Sequence, residues 1–237
     1  AKEVQDGRNR HRGHSVQQKQ DQTRSSWDRT SMEIGEVRQR WCKFRESVVD
    51  YIGQDEWEIQ TVCHILSVLH PKIFVEVGSE FGGSLYVYAG LCAPEANIVS
   101  IDIGHRLLSR RRLRRTCRLL RREGYKVNRI CADSHCDYAL DELKKILDGR
   151  KIDLLHIDGD HSVSGFYSDW VDYGSLVAPG GAIIVSDFAC QLGKMGIYRL
   201  WPGIRRKHKS LEILNCKPGV ERFRKLPLII GIGIVWL

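Results

Sequence analysis

Five short apolar segments recur along the middle of the chain, and polar residues follow each of them. The first segment begins at Phe74, and the others occupy residues 98–101, 127–131, 152–157 and 182–185. The stretches between them are long enough for helices, and strands that alternate with helices form parallel sheets. Parallel strands end at one common edge, where open α/β sheets bind their ligands. The pattern therefore predicts an α/β fold whose functional residues meet at that edge.

The segment FVEVGSEFGGS, residues 74–84, joins the first strand to a glycine-rich turn. The glycines let the backbone bend tightly and approach a ligand, and a helix is expected to open at residues 82–84. The first N–H groups of a helix can hydrogen-bond to a carboxylate or a phosphate. The spacing is Glu-x-Gly-x-x-x-Gly-x-Ser, which differs from the Gly-x-Gly-x-x-Gly of dinucleotide-binding proteins, and the acidic residue precedes the turn. This order favours S-adenosyl-L-methionine over NAD as the cofactor.

Carboxylates follow the later strands. Asp102 ends the second strand, a position at which a carboxylate can hold the hydroxyl pair of a ribose. Because the strand ends share an edge, the polar residues after the other strands are expected to lie near Asp102. These residues are Asp133 and Ser134 after the third strand, Asp158, Asp160 and His161 after the fourth, and Ser186 and Asp187 after the fifth.

With these motifs in place, the chain resembles a class I S-adenosylmethionine-dependent methyltransferase. More narrowly, it is similar to the catechol O-methyltransferase-like group and to the bacterial cephalosporin hydroxylase and macrocin O-methyltransferase relatives. The resemblance covers roughly residues 73–188 and is most specific in IDGDHSVSGFYSDWVDYGSLVAPGGAIIVSDF, residues 157–188. It implies a doubly wound, Rossmann-like sheet of seven strands, mostly parallel with one antiparallel strand and with helices on both faces.

The resemblance also implies roles for single residues. It places Ser84 against the methionine carboxylate, Glu76 near the methionine amino group, and Asp102 at the ribose. Asp133 and Ser134 match the turn that contacts adenine. The other expected cofactor contacts are Gly78, Ser79, Gly82, Ile103 and Asp158.

His161 stands where this group of enzymes places its catalytic base. Transfer from a sulfonium to a hydroxyl is an in-line displacement, and the acceptor hydroxyl must lose its proton. An imidazole with an ordinary pKa of about 6.5 can accept that proton near neutral pH. A histidine after a strand is often a structural residue that caps a helix, and the sequence leaves this alternative open.

Asp158 and Asp187 match residues with which relatives hold a divalent cation that binds two adjacent acceptor hydroxyls. Oxygen ligands suit Mg²⁺, which needs few protein carboxylates. Ser186 and Phe188 flank Asp187, so the third protein ligand of those relatives is missing or displaced. Asp160 can replace it or can cap the following helix. The sequence leaves dependence on Mg²⁺ open.

These features predict an enzyme, an S-adenosylmethionine-dependent O-methyltransferase. The expected acceptor is a small hydroxylated molecule such as a sugar, a polyhydroxylated natural product or a catechol-like compound. The net charge of +8 and nine arginines within residues 106–122 support a second hypothesis, an RNA-modifying methyltransferase. Since no aromatic residues interleave with these arginines to stack bases, a solvated helix face is favoured. A third hypothesis is a protein that binds the cofactor without transferring methyl groups.

We divide the chain into a basic, flexible tail (1–27), a helical extension (28–70) and a methyltransferase domain (71–237). The first 24 residues contain hardly an apolar side chain and lack the apolar segment of a signal peptide. Helical spacing begins at Ser31, and a second helix is expected from Asp55 to Leu69. In relatives such helices cover the acceptor pocket or mediate the pairing of subunits. The sequence does not choose between these roles, and a homo-oligomer remains an alternative. Residues 226–237 are too short to span a bilayer, which needs about 20 apolar residues, and are interpreted as the antiparallel strand.

The remaining features indicate structural roles. Eight cysteines without Cys-x-x-Cys spacing indicate free thiols in a reducing compartment, which predicts a cytoplasmic protein without zinc. His156 is interpreted as a satisfied buried histidine and Trp170 as a core residue. The tripeptide Pro179-Gly180-Gly181 is expected to end the preceding helix and to turn the chain into the next strand.

Overall fold

The computed structural model describes residues 34–48, 54–191, 195–217 and 228–237. These residues belong to one compact unit. The basic tail predicted for residues 1–27 lies outside the described residues, as do the first residues of the predicted helical extension.

A seven-stranded sheet forms the centre of the described structure. Its strands lie in the order β3-β2-β1-β4-β5-β7-β6, and β7 is antiparallel to both of its neighbours while the other paired strands are parallel. This confirms the predicted fold, including the antiparallel strand near the C-terminus. The strands are β1 (Ile73–Val77), β2 (Asn97–Ile101), β3 (Lys126–Ile130), β4 (Ile152–Ile157), β5 (Val177–Val185), β6 (Lys209–Lys217) and β7 (Leu228–Trp236).

Helices cover both faces of the sheet. Alternate strand residues enter different cores, so that Phe74 and Leu154 pack against α1 to α4 while Val75 and Leu155 pack against α5 to α7. Among the described residues, no helix combines the length and the apolar character that a membrane span requires. The helices are α1 (Ile34–Ser47), α2 (Glu56–Leu66), α3 (Gly83–Tyr88), α4 (Leu107–Arg122), α5 (Asp137–Leu147), α6 (Val163–Gly174) and α7 (Ile197–Lys207).

Apolar and charged contacts bind helix α1 to α3 and to the end of α4. Phe44 of α1 packs 6.0 Å from the ring of Tyr86, and the Arg40 guanidinium lies over the same ring and donates hydrogen bonds to its backbone oxygen. Glu123 accepts hydrogen bonds from Arg40, Lys43 and the Tyr86 hydroxyl. Burial raises the pKa of Glu123, but these partners outweigh burial, and the pKa lies below its ordinary value. Helix α1 therefore shares a core and a charge network with the rest of the fold.

Pro179, Gly180 and Gly181 form a bulge inside β5. Helix α6 already ends at Gly174, and β5 begins at Val177. The pairing of β5 with β4 shifts between Ile152 and Leu154, and Gly180 has a φ of 82° and donates its N–H to the backbone oxygen of Leu237. The prediction that this tripeptide ends the preceding helix is therefore wrong. A proline and a residue with a positive φ interrupt the hydrogen bonds between β4 and β5 locally, and the strand continues beyond them.

Candidate functional site

A cavity of about 710 Å³ opens at the carboxyl edge of the sheet. Its wall includes residues that follow β1, β2, β3, β4 and β5, together with Ile230, Gly231 and Ile232 of β7. The convergence expected from the sequence is therefore present. The sequence-predicted residues that line the cavity are Gly78, Asp102, Ile103, Asp133, Ser134, Asp158, Asp160, His161, Ser186 and Asp187.

The turn after β1 brings the backbone of that strand against the end of β4. Gly78 has a φ of 85°, and a Cβ added there would lie 2.2 Å from the backbone oxygen of Asp158. Gly82, the N-cap of α3, has a φ of 83°, and a Cβ there would meet the Thr116 side chain at 2.8 Å. Both positions require glycine because other residues rarely adopt this conformation and because no space remains.

Glu76, Ser79, Gly82 and Ser84 are not among the residues that line the cavity. Glu76 is fully buried, and its Oε1 accepts a hydrogen bond of 2.7 Å from the Ser84 hydroxyl. The Ser79 hydroxyl accepts one of 2.8 Å from Ser100. These side chains connect the turn to the strands beneath it. Their direct contact with a cofactor stays a prediction.

Asp102 is held in a fixed orientation at the end of β2. Its Oδ2 accepts a hydrogen bond of 2.7 Å from the Glu80 N–H, and its Oδ1 accepts one of 2.6 Å from the Gly104 N–H. Glu80 also lines the cavity and was not recognised from the sequence. Burial raises the pKa of Glu80 above its ordinary value and outweighs the opposing charge of Arg106, and the Asp102 and Asp158 carboxylates raise this pKa further.

A second polar group surrounds the turn after β3. The Asp133 carboxylate accepts the His135 N–H, and the Tyr173 hydroxyl donates a hydrogen bond of 2.6 Å to the backbone oxygen of Ser134. Asp169 of α6 lies below this turn with a fully buried side chain 3.4 Å from His135 Nε2, and burial raises its pKa to about 6. Asp169 sits on the buried face of a helix, and no spacing in the sequence indicates that it reaches this turn.

Asp158, His161 and Asp187 line the cavity where β4 and β5 end, and their ligand atoms all lie within 4.8 Å of one another. His161 Nε2 is 3.2 Å from Asp158 Oδ1, and the Gln54 amide donates a hydrogen bond of 2.7 Å to Asp158 Oδ2. Burial lowers the pKa of His161, but the hydrogen bond and the charge of Asp158 outweigh it, so the pKa lies above the ordinary histidine value.

The N-terminal cap of α6 shows whether His161 or Asp160 caps this helix, an alternative that the sequence left open for both residues. Ser162 is the N-cap residue and accepts a hydrogen bond from the Gly165 N–H, so His161 does not cap the helix. Asp160 accepts hydrogen bonds from the N–H and the hydroxyl of Ser162, and these bonds lower its pKa. Asp160 therefore supports the start of α6.

His156 is satisfied on both sides of its ring. Its Nδ1 lies 2.8 Å from Glu76 Oε1, and its Nε2 lies 2.8 Å from the Ser186 hydroxyl. Burial lowers the pKa of His156, but the hydrogen bond and the charge of Glu76 outweigh it and raise the pKa above the ordinary value. The interpretation as a satisfied buried histidine is confirmed.

Several wall residues come from outside the predicted strand ends. Gln54 and Glu58 enter the wall from the start of α2, and the wall also includes Cys190, Met195 and the β7 residues. The sequence signal for Glu58 is a capping box, in which Asp55 N-caps the helix and donates its N–H to the Glu58 carboxylate. That signal indicates a helix start but does not indicate a cavity.

The model of the family described as rhamnosyl O-methyltransferase/CmcI matches residues 43–195. The chain belongs to this family. The match includes all sequence-predicted site residues and also α2. Membership of the rhamnosyl O-methyltransferase/CmcI family makes the chain a class I S-adenosylmethionine-dependent methyltransferase, as the sequence motifs predicted. The hypothesis of cofactor binding without transfer is not favoured by this membership.

Solved structures show the same fold at low sequence identity. An O-methyltransferase from Bacillus cereus, solved in complex with SAH, is 16% identical with a TM-score of 0.53, and the match covers 94% of this chain and 97% of that chain. The O-methyltransferase TomG from Streptomyces achromogenes, involved in tomaymycin synthesis and solved with SAM, is 14% identical with a TM-score of 0.53, and the match covers 87% and 92%. No curated protein shows a significant sequence match.

Proposed function

We propose that this methyltransferase transfers a methyl group from S-adenosyl-L-methionine to a hydroxyl of a small acceptor bound at Asp158, His161 and Asp187. The observation that carries the proposal is the presence of two chemically different ends in one cavity. The cofactor end, after β2 and β3, holds Asp102 and Asp133, and the acceptor end, after β4 and β5, holds the Asp158, His161 and Asp187 cluster. Gly78, after β1, lies between them. A volume of about 710 Å³ lies within the roughly 300–1,000 Å³ of small-molecule sites.

The cofactor end suits an adenosyl group. S-adenosyl-L-methionine supplies an electrophilic methyl group when it is bound. We assign the ribose hydroxyls to Asp102, whose carboxylate oxygens are oriented by backbone N–H groups. Ile103 is half exposed in the cavity wall and offers an apolar surface for adenine, and Asp133 and Ser134 lie beside it. Gly78 allows the close approach of backbone to cofactor, while Glu76 and Ser84 support the turn from below.

Replacing Asp102 by Ala is expected to weaken S-adenosylhomocysteine binding by about 10- to 150-fold, because hydrogen bonds to a charged group contribute about 1.5–3 kcal/mol. Calorimetric titration of the purified protein measures the change. Asp141→Ala, on the exposed surface of α5, is the matched control and should bind normally. Equal affinity in the Asp102 variant and the control would contradict the ribose assignment.

His161 is assigned the role of catalytic base. Its ring lies beside Asp158, which can orient the ring and stabilise its protonated form. His161 would accept the proton of the acceptor hydroxyl as that oxygen takes the methyl group that the bound cofactor would supply. An acceptor with adjacent hydroxyls fits the two neighbouring carboxylates, and the rhamnosyl acceptor named in the family description is a molecule of this kind.

The acceptor end also suits a divalent cation. Asp158 and Asp187 offer carboxylate oxygens within 4.8 Å of each other, and oxygen ligands of this kind suit Mg²⁺. A bound cation would lower the pKa of an acceptor hydroxyl. Asp187 has a φ of 54°, a conformation that costs about 1–3 kcal/mol in a non-glycine residue and is typical of functional positions. We therefore assign Asp158 and Asp187 as ligands for Mg²⁺.

Removal of Mg²⁺ with EDTA is expected to lower turnover at least about tenfold, because the acceptor hydroxyl loses its Lewis acid. Added Mg²⁺ should restore the rate. Asp187→Asn should abolish calorimetric Mg²⁺ binding while S-adenosylhomocysteine still binds, and Asp172→Asn, in α6 away from the cavity wall, is the control. Full activity in EDTA would show that the two carboxylates act without a metal.

Transfer of a labelled methyl group tests the function as a whole. The acceptors are methyl α-rhamnopyranoside, catechol and total RNA, incubated with labelled S-adenosyl-L-methionine. We expect label in a diol and none in RNA. RNA is included because α4 exposes Arg111, Arg114 and Arg118 to solvent. Cofactor binding without transfer to any hydroxylated acceptor would contradict the proposed reaction.

A further inference from the structure

Glu76, His156 and Ser186 form a hydrogen-bonded chain across three neighbouring strands. Glu76 of β1 lies opposite His156 of β4 in the parallel ladder, and Ser186 follows β5, two residues after the partner of His156. The hydrogen bonds that join His156 to Glu76 and to Ser186 are both 2.8 Å long. Glu76 and His156 are fully buried, and Ser186 is 2% exposed. We call these three residues the buried relay.

The relay ends in the cavity. Ser186 lines the wall and directly precedes Asp187, whose carboxylate belongs to the cluster with Asp158 and His161. The backbone around Ser186 is also fixed, since its N–H bonds to the oxygen of Ile157 and the N–H of Phe188 bonds to the oxygen of Gly231. The Ser186 hydroxyl is therefore held in place by its main chain and by His156.

The Ser186 hydroxyl can form a hydrogen bond that the neighbouring carboxylates cannot form. Ionised Asp158 and Asp187 can only accept hydrogen bonds, and the Gln54 amide already donates to Asp158. A serine hydroxyl has one donor and two lone pairs, so a bond to His156 leaves capacity for a partner in the cavity. A second hydroxyl on the acceptor can donate or accept and matches either direction of the Ser186 bond.

We propose that the Ser186 hydroxyl, positioned by His156 and Glu76, selects acceptors by hydrogen-bonding to a second hydroxyl next to the one that is methylated. The ligand class is a vicinal diol, such as a sugar or a catechol. This inference rests on the proposed function, in which the acceptor occupies the Asp158, His161 and Asp187 end. Ser186 is the contact residue, and His156 and Glu76 are positioning residues.

The test compares matched ligands in the protein loaded with S-adenosylhomocysteine. The probe pairs are methyl α-rhamnopyranoside with its monodeoxy analogues, and catechol with phenol. Wild-type protein should bind each diol about five- to tenfold more tightly than the analogue that lacks one hydroxyl, which is the effect of one hydrogen bond. We call this ratio of affinities the diol preference ratio. Ser186→Ala should reduce this ratio to within about twofold, and Ser186→Thr, which keeps the hydroxyl, should retain it.

Control variants distinguish a loss of diol preference from a general loss of folding or of cofactor binding. Ser175→Ala, at the exposed end of α6, should keep the wild-type ratio, and S-adenosylhomocysteine affinity should be the same in all variants. His156→Asn should lose the ratio although Ser186 remains, provided that thermal melting shows a folded protein. If it is unfolded, the Ser186 variants decide alone.

The outcomes differ from those of the methyl-transfer assay. A ratio that survives in Ser186→Ala, or a wild-type protein that binds no diol or does not prefer one, would overturn the assignment of Ser186. Absence of methyl transfer together with a Ser186-dependent ratio would instead leave Ser186 as a diol contact and refute the proposed reaction. With a methylated probe, Ser186→Ala should raise KM about five- to tenfold and change kcat little.

Discussion

Replacing His161 by Ala should lower turnover by about 10²- to 10⁴-fold, the range that a positioned general base contributes. The imidazole is held 3.2 Å from Asp158 and lines the acceptor end of the cavity. Without it, the acceptor hydroxyl would have to transfer its proton to water as the methyl group arrives. Single-turnover measurement of labelled methyl transfer separates this chemical step from product release.

The control for this variant is His64→Ala, an exposed histidine of α2. It should retain wild-type turnover, and both variants should bind S-adenosylhomocysteine normally because neither residue belongs to the cofactor end. A rate near that of wild type in the His161 variant would exclude the role of base.

The pH profile gives a second readout for the same residue. A base must be unprotonated, and the pKa of His161 lies above its ordinary value because Asp158 outweighs burial. Wild-type turnover should therefore fall as the pH drops through the pKa of this imidazole. In His161→Ala this limb should disappear from the residual rate.

Replacing Gly78 by Ala should reduce S-adenosylhomocysteine affinity at least about 100-fold and lower the melting temperature. The added Cβ would lie 2.2 Å from the Asp158 oxygen and 2.6 Å from the Gly159 nitrogen, so the ends of β1 and β4 must separate. The positive φ of 85° adds conformational strain. Strain and overlap together cost on the order of 3 kcal/mol or more. Calorimetric titration and thermal melting measure the two effects.

Gly124→Ala isolates the contribution of the backbone conformation. Gly124 has a φ of 94°, but a Cβ there would have nothing within 4 Å. This variant should lose only the strain energy, about 1 kcal/mol, and should bind the cofactor normally. If both variants lost equal stability and both kept their affinity, the close approach of Gly78 to β4 would have no functional role.

These two predictions concern cofactor binding and acceptor deprotonation in one cavity, and both depend on the end of β4. Asp158 follows β4, contacts His161 through its carboxylate and faces Gly78 through its backbone oxygen. A shift of the end of β4 would therefore displace the acceptor cluster as well. We expect Gly78→Ala to lower turnover at saturating cofactor, whereas His161→Ala leaves cofactor affinity unchanged.

The sequence determined the sheet and the edge at which the site lies. Apolar segments of strand length, separated by helix-length stretches, have few ways to bury their side chains, and parallel strands must end on the same side. Asp102, Asp133 and Asp158 therefore converge in space although they are far apart in the chain. The glycine pattern at Gly78 and Gly82 was also readable, because a tight turn between a strand and a helix requires these residues.

Only the tertiary structure decided which polar residues reach the cavity and which lie beneath it. Glu76 and Ser84 belong to the glycine-rich motif, yet they bond to each other below the surface. Ser186, which flanks Asp187, lines the wall and bonds to the buried His156. Gln54 and Glu58 enter the wall from α2. Side-chain direction and contacts between distant segments depend on how helices and strands pack, and sequence periodicity does not contain that information.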